Sequence, residues 1–407
     1  MKKQLLTTTA AIAMVGGAAT AQEWNLDWGG YYNMDVLYND ASGNNIPSNV
    51  DLDGINIHQN GEIHFKPNVT LDNGMTFGVV VEMEAANAGG GADGIDESYM
   101  YIESDTMGRV EVGSENSAGY KLSTGAPSVG YGINSPSATA FHPIAFSPVG
   151  TGQGRTAFGS SFTEVAGNND TARISYYTPS FNGFTAGVSY APTGNTNVVN
   201  SGLVDRNVAT NDIFDIGVNY SQTFGNVDMT LSARWGTGDA GTDQTFVNNG
   251  PDGIADTSDD VYSVNATQPG DPETWAVGGR MAVAGFTFGG SYAENETGAQ
   301  FGIGDNEGWS LGATYDLAGP WTVGFDTYQG EATVANIASG AAANVKDEYE
   351  AYQIGAEREL GAGVAWRIYA IQSETSRKSG ALNAFGTGVS KLKVESTAVG
   401  TGIRLNF

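Results

Sequence analysis

From Val227 to Trp235, apolar residues hold every second place: Val227, Met229, Leu231, Ala233 and Trp235, with Asp228, Thr230, Ser232 and Arg234 between them. The same period of two runs through Phe184 to Tyr190, Phe214 to Tyr220, Trp321 to Thr327 and Val364 to Ala370. Successive side chains of a strand point to opposite faces, so each segment has one greasy and one polar side. Sixteen strands are expected, near 24–38, 54–66, 74–86, 96–104, 107–115, 171–178, 183–191, 212–222, 225–236, 274–283, 285–294, 307–317, 320–331, 348–359, 362–375 and 395–407.

The connections alternate in length. Seven are short and hold turn residues: Pro67 to Gly74, Asp105-Thr106, Pro179 to Gly183, Phe224-Gly225-Asn226, Ala284-Gly285, Ala318-Gly319-Pro320 and Gly361-Ala362-Gly363. Between them lie eight longer, polar, glycine-rich stretches at 39–53, 87–95, 116–170, 192–211, 237–273, 295–306, 332–347 and 376–394. A soluble sandwich has no reason to sort its loops by parity. Strands running up and down through a membrane do, with short turns on the periplasmic side and long loops outside. The fold expected is therefore all-β: a 16-stranded antiparallel transmembrane barrel, greasy face to lipid and polar face to water.

Tryptophan placement fits a membrane barrel better than a soluble core. All seven (24, 28, 235, 275, 309, 321, 366) fall in expected strands, on the apolar parity and none in a long loop. An indole wants an apolar bed and a wet N–H, which the two membrane interfaces supply. The last strand alternates Val399, Thr401, Ile403, Leu405 and Phe407 with Gly400, Gly402, Arg404 and Asn406. It is expected to pair with the first and close the barrel, because an open edge is intolerable in lipid.

The beginning of the chain speaks to compartment. Met1-Lys2-Lys3, an uncharged stretch from Leu5 to Ala19 and the small residues Ala19-Thr20-Ala21 have the pattern of a secretory signal peptide, cut before Gln22. Residues 1–21 are thus expected to be removed, leaving one barrel domain at 22–407. No cysteine is present, so a secreted chain of this size must hold together without disulfides. Glycine is abundant (58 residues) and the formal net charge is −27, which excludes the basic surface that nucleic acid needs. It fits a protein that meets cations or a salty medium.

These residues resemble a family. The signal peptide, the opening strand from Trp24 to Tyr38 and the terminal Gly402-Ile-Arg-Leu-Asn-Phe407 look like trimeric Gram-negative general porins of the alphaproteobacterial type. So do Met107 to Gly113, before the longest early loop, and Arg173 to Gly183, after it. The resemblance spans the chain beyond the signal peptide. It implies a homotrimer in the outer membrane, among lipid and lipopolysaccharide. It also implies passive diffusion of small hydrophilic solutes and ions, and a third loop, here 116–170, folded into the pore. Phe407 would match the family's recognition signal for the barrel-assembly machinery. A loop of that length would be unusual as a free surface excursion.

A porin needs no catalytic residue and no cofactor; its chemistry is charge in a narrow aqueous space. The early strands put Asp35, Glu62, Glu82, Glu84, Glu111 and Glu115 on the polar face, with only Lys66 and Arg109 as bases. Arg173, Arg234, Arg280 and Arg367 come from later strands and complete the candidate lining. Enteric relatives carry several acids in the third loop opposite a basic wall; here the loop has only Glu164 and Asp170, and it is rich in Gly, Ser, Pro and Phe (Phe141, Phe146, Phe158, Phe162). A cation-favouring lumen is expected, set against the plainer possibility that these acids are solvated near a wide mouth. Calcium is a candidate ligand for Asp252, Asp256, Asp259 and Asp260, four aspartates and a glycine in nine residues, though an acidic solvated loop is the commoner explanation of such a stretch. The histidines are His58, His64 and His142; His58 and His64 lie about 20 Å apart along one strand with no nucleophile motif, so they read as lumen side chains and not as enzyme. Two alternatives to a general porin stay open: a solute-specific channel, for which Tyr31, Tyr99 and Tyr101 are not decisive, and a plugged surface adhesin.

Overall fold

The computed structural model describes residues 22–46, 48–86, 94–134, 158–165, 169–194, 206, 210–242, 244–251, 253–254, 260–264, 270–298, 304–333, 346–378 and 391–407. The strands in chain order are β1 (Asn25–Gly43), β2 (Gly54–Thr70), β3 (Thr76–Glu84), β4 (Ile95–Ser104), β5 (Gly108–Glu115), β6 (Thr171–Tyr177), β7 (Phe184–Thr193), β8 (Asn211–Phe224) and β9 (Val227–Asp239). They continue with β10 (Gln244–Asn248), β11 (Val261–Val264), β12 (Glu273–Val283), β13 (Phe286–Glu296), β14 (Asn306–Asp316), β15 (Trp321–Thr333), β16 (Lys346–Gly361), β17 (Val364–Lys378) and β18 (Lys391–Asn406). Sixteen of these close one barrel, each hydrogen-bonded to two neighbours, while β10 and β11 form a separate hairpin. The hairpin, inside the long segment 237–273, is one element that periodicity did not reveal.

Closure joins the ends of the chain. β1 pairs with β2 on one side and with β18 on the other, antiparallel, from Tyr31 opposite Asn406 to Gly43 opposite Val394. Short turns connect strands at one end, as expected. One two-residue turn, Ala284-Gly285, has φ of 52° and 83°, the two positive values that match a hairpin turn to strand twist.

The burial pattern is that of a soluble protein turned inside out. Along β1, Met34, Val36 and Tyr38 are 44–53% exposed, while Asp35, Leu37 and Asn39 between them are below 10%. An apolar outward row with polar residues covered inside is stable only where the outside solvent is lipid. Aromatic residues mark two levels on that outward surface. Trp235, Trp275, Trp309 and Tyr292 lie toward the long-loop ends of their strands; Trp28, Trp321 and Trp366 lie toward the short-turn ends. The indoles find polar partners there: Trp235 Nε1 donates to Glu273 Oε1 (2.9 Å) and Trp366 Nε1 to Thr401 Oγ1 (2.7 Å). Trp24 falls just before β1 rather than in it.

Candidate functional site

The barrel interior is where a solute would pass, and the described parts of the third long segment, 116–134 and 158–165, pack against its wall. After β5 the chain forms a short helix, α1 (Ala118–Leu122), capped by Ser117, whose Oγ accepts from Tyr120 N. From there, residues 118–131 run along the inner wall, fixed strand by strand through backbone bonds. Ala118 N donates to Ser189 Oγ of β7 (3.1 Å), Asn219 Nδ2 of β8 to Leu122 O (2.9 Å), and Thr124 N to Ser232 Oγ of β9 (2.8 Å). Arg280 of β12 donates to Gly125 O (2.6 Å) and Ala126 O (3.1 Å), and Arg367 of β17 to Gly130 O (2.7 Å). Gln353 of β16 both accepts from Tyr131 N (2.8 Å) and donates to Tyr131 O (2.7 Å).

The wall beneath this strap is flattened by glycine. An inward-facing glycine meets residues 118–129 from each of β7, β8 and β12 through β16: Gly187, Gly217, Gly278, Gly289, Gly312, Gly324 and Gly355. A Cβ at Gly217 would come within 2.8 Å of Gly119 Cα, and one at Gly289 or Gly324 within 3.0 Å of Pro127 or Val129. At Gly278, Gly312 and Gly355 it would run into the carbonyl oxygens of Thr124, Pro127 and Val129. The strap returns through residues 158–165. Phe158 stacks on Tyr349 (5.6 Å between centroids), and Tyr328 OH donates to Gly159 O (2.6 Å). Tyr131, Ile133 and Phe158 thereby join Leu37, Tyr328, Tyr349, Tyr369 and Ile371 in an apolar core inside the barrel.

Buried charge clamps the two roots of the strap together. Arg234 donates to Asp215 Oδ2 (2.5 Å) and Glu164 Oε2 (3.2 Å), and Glu164 Oε1 accepts from Ser117 N (2.7 Å). Burial alone would raise the Glu164 carboxyl, but Arg173 and Arg234 outweigh it and hold it below the usual carboxylate range. Lys121 on α1 reaches Glu111 (2.9 Å) and Glu115 (2.7 Å) of β5. Removing one partner from such a buried set costs about 3–5 kcal/mol because the other charge is left uncompensated.

All ten candidate lining residues point into the barrel, in three roles. Arg234, Arg280 and Arg367 hold the strap, and Asp35 is buried in an ion pair with Arg367 (2.5 Å). Arg173, likewise buried, donates to Thr171 O (3.2 Å), while Glu111 and Glu115 are buried against Lys121. Glu62, Glu82 and Glu84 keep access to water on the wall of β2 and β3, and Arg280 on β12 is exposed as well. Beside the three glutamates stand two acids that the expectation omitted, Asp96 and Glu97 of β4. A bulge explains the omission of Asp96: Glu82 pairs with Glu97 but Met83 with Ile95, so two successive residues of β4 are accommodated where strict alternation predicts one, whereas Glu97 shares the inward parity of Tyr99 and Tyr101 and was a usable signal. Asp215 was also missed, although its place on the polar parity of β8 was a usable signal.

His58 and His64 both face the lumen, His58 Nδ1 lying 3.2 Å from Tyr131 OH. His142, Phe141 and Phe146 lie outside the described residues, as do residues 1–21 and three of the four proposed calcium ligands, Asp252, Asp256 and Asp259; only Asp260 is described. No helix among the described residues is long and apolar enough to cross a membrane.

Comparison with known proteins agrees with this geometry. No curated protein sequence matches the chain. Solved structures do. OmpT of Vibrio cholerae, an outer membrane protein in its trimer form, has 12% identity and a TM-score of 0.56, covering 94% of this chain and 99% of its own. The anion-selective porin from Comamonas acidovorans has 16% identity and a TM-score of 0.55, covering 95% and 100%. Salmonella typhi OmpF, solved with daunomycin, has 13% identity and a TM-score of 0.52, covering 94% and 97%. At such identities the likeness is one of fold. The sequence model of the Gram-negative porin family, however, matches residues 8–378, most of the chain. The protein belongs to the Gram-negative porin family: a 16-stranded outer-membrane barrel that works as a channel and not as an enzyme.

Proposed function

We propose that this chain is a general diffusion porin of the alphaproteobacterial type, cut after residue 21, assembled as a homotrimer, and passing small hydrophilic solutes with preference for cations. The observation that carries the selectivity is the division of charge inside the barrel. Arg234 and Arg367 are buried in ion pairs, leaving Arg280, which donates to the strap carbonyls of Gly125 and Ala126, as the exposed base of these three, whereas four acids, Glu62, Glu82, Glu84 and Asp96, line the wall of β2 to β4. An anion-selective porin shares this fold. Selectivity therefore follows from the charges on the wall and not from the barrel.

Lipopolysaccharide and the barrel-assembly machinery are the partners this reading entails. No cofactor is required for diffusion, and calcium at Asp252 to Asp260 would be accessory. A solute-specific channel is the second reading. Tyr31, Tyr99 and Tyr101 do not favour it: Tyr99 and Tyr101 are covered by Lys121 and Arg109, at 4.7 and 3.8 Å, rather than open to a passing solute.

The test is the reversal potential across a planar bilayer in a potassium chloride gradient, with a chelator present. Its sign should report cation preference. The preference should shrink as salt rises, since charges are felt over about 30 Å at 0.01 M salt but only about 10 Å at 0.1 M. The double variant Glu82→Gln/Glu84→Gln should lose more preference than a variant neutralising Asp252, Asp256, Asp259 and Asp260. An anion-preferring potential ends the proposal, and a larger effect from the loop moves selectivity to the mouth.

A further inference from the structure

The wall of β2 and β3 carries a mixed set of metal-ligating atoms that ion selectivity does not explain. Glu62 and His64 lie on β2, and Glu82, the direct cross-strand partner of His64, lies on β3. Their donor atoms all fall within 4.8 Å of one another. His64 Nε2 is 2.9 Å from Glu62 Oε2 and 3.4 Å from Glu82 Oε2. A tetrahedral zinc ion with bonds of about 2.0–2.1 Å has ligand-to-ligand edges of about 3.3 Å. These separations are therefore close to what such an ion needs, with little movement of the backbone.

The surroundings are those of an oriented ligand set. Tyr31 OH donates to Glu62 Oε1 (2.6 Å), occupying the oxygen that does not face the imidazole. The same Tyr31 ring meets His64 edge-on, at 6.5 Å between centroids and 86° between planes. Outer contacts of this kind hold first ligands in place and are worth about 10–100-fold in metal affinity. The three ligand side chains are 16–17% exposed, sheltered yet reachable by a water that would complete the coordination. A neighbouring set, Glu62, Glu84 and Asp96, is carboxylate alone and by itself defines no site. The imidazole sets the first group apart.

We propose that Glu62, His64 and Glu82 bind a divalent transition-metal ion on the lumen wall, with Tyr31 as the positioning residue. One nitrogen and two carboxylate oxygens suit zinc, whereas calcium wants six to eight oxygens. A bound ion places positive charge beside the acidic wall and opposes cation flow. That consequence, unlike binding itself, rests on the reading that this wall lines the conducting path.

The experiment is calorimetric titration of zinc chloride into the purified full-length protein in detergent, with barrel folding checked by circular dichroism. One saturable site per chain is expected, about tenfold or more weaker in His64→Gln and in Glu82→Gln, and weakened to a smaller extent in Tyr31→Phe. Calcium should bind there much more weakly than zinc. Absent saturable binding, unchanged affinity in either folded ligand variant, or equal affinity for calcium would overturn the site. Conductance separates this from the selectivity proposal. Zinc that binds and lowers cation preference in the wild type but not in His64→Gln supports both. Zinc that binds without touching the current keeps the site and overturns this wall as the conducting lining. Cation preference without zinc binding does the reverse.

Discussion

Gly278→Ala is expected to disturb the channel while Gly279→Ala, one residue away, leaves it nearly unchanged. The two glycines point to opposite faces of β12. A methyl group at Gly279 would meet Leu231 Cδ2 at 3.0 Å, the movable end of a side chain on the lipid face, and Thr230 O at an ordinary contact distance of 3.5 Å. At Gly278 it would strike the carbonyl oxygen of Thr124, whose own N–H is committed to Ser232 Oγ at 2.8 Å. The strap cannot retreat into the wall, so it must lift toward the lumen, and overpacking of this kind costs about 1–3 kcal/mol. The triple variant Gly278→Ala/Gly312→Ala/Gly355→Ala should compound the effect along 124–129. Single-channel conductance should fall in the order wild type, single, triple, and the midpoint of thermal unfolding should fall with it. Equal behaviour of Gly278→Ala and Gly279→Ala would mean that the glycine track is not the seat of the strap.

That track shows where a sequence is legible and where it is not. The sixteen barrel strands were readable because each is governed by one local rule, alternation, reinforced by loop length. The inward course of 116–170 was readable in outline, from length and from a resemblance. Its route was not. Glycine at 217, 278 or 312 looks the same as glycine in a turn until the register brings one from each of several strands into line. The same holds for the arginines. Alternation places Arg234, Arg280 and Arg367 on the polar face correctly, but only the folded strap decides that they meet its carbonyls and carboxylates, and that Arg234 and Arg367 are buried there while Arg280 stays exposed. Asp96 escaped for a different reason, since the bulge opposite Glu82 breaks the alternation itself. The short helix α1 and the β10–β11 hairpin sit in segments whose lengths, not periodicities, were the signal.

Loss of Phe407 is expected to produce the largest effect, and in cells rather than in the folded barrel. Its backbone completes the seam: Gly30 N donates to Phe407 O (2.9 Å) and Phe407 N to Gly30 O (3.1 Å). Its ring lies 5.7 Å from that of Trp28 and is 51% exposed on the outer surface. Two backbone bonds are worth about 0.5–1.5 kcal/mol each, a small share of a seam that runs from Tyr31–Asn406 to Gly43–Val394. Deleting the residue therefore should not prevent closure. If the exposed ring is what the assembly machinery recognises, Phe407→Ala should behave in cells much like the deletion, with outer-membrane protein sharply reduced while the precursor is still processed. Purified Phe407→Ala, which keeps both backbone bonds, should refold in detergent to a barrel of nearly normal thermal stability. Fractionated membranes and refolding yields measure the two halves separately. Normal membrane levels of the deletion would dismiss Phe407 as an assembly signal. Failure of Phe407→Ala to refold in detergent would instead assign the ring to the β1–β18 seam, through its packing on Trp28.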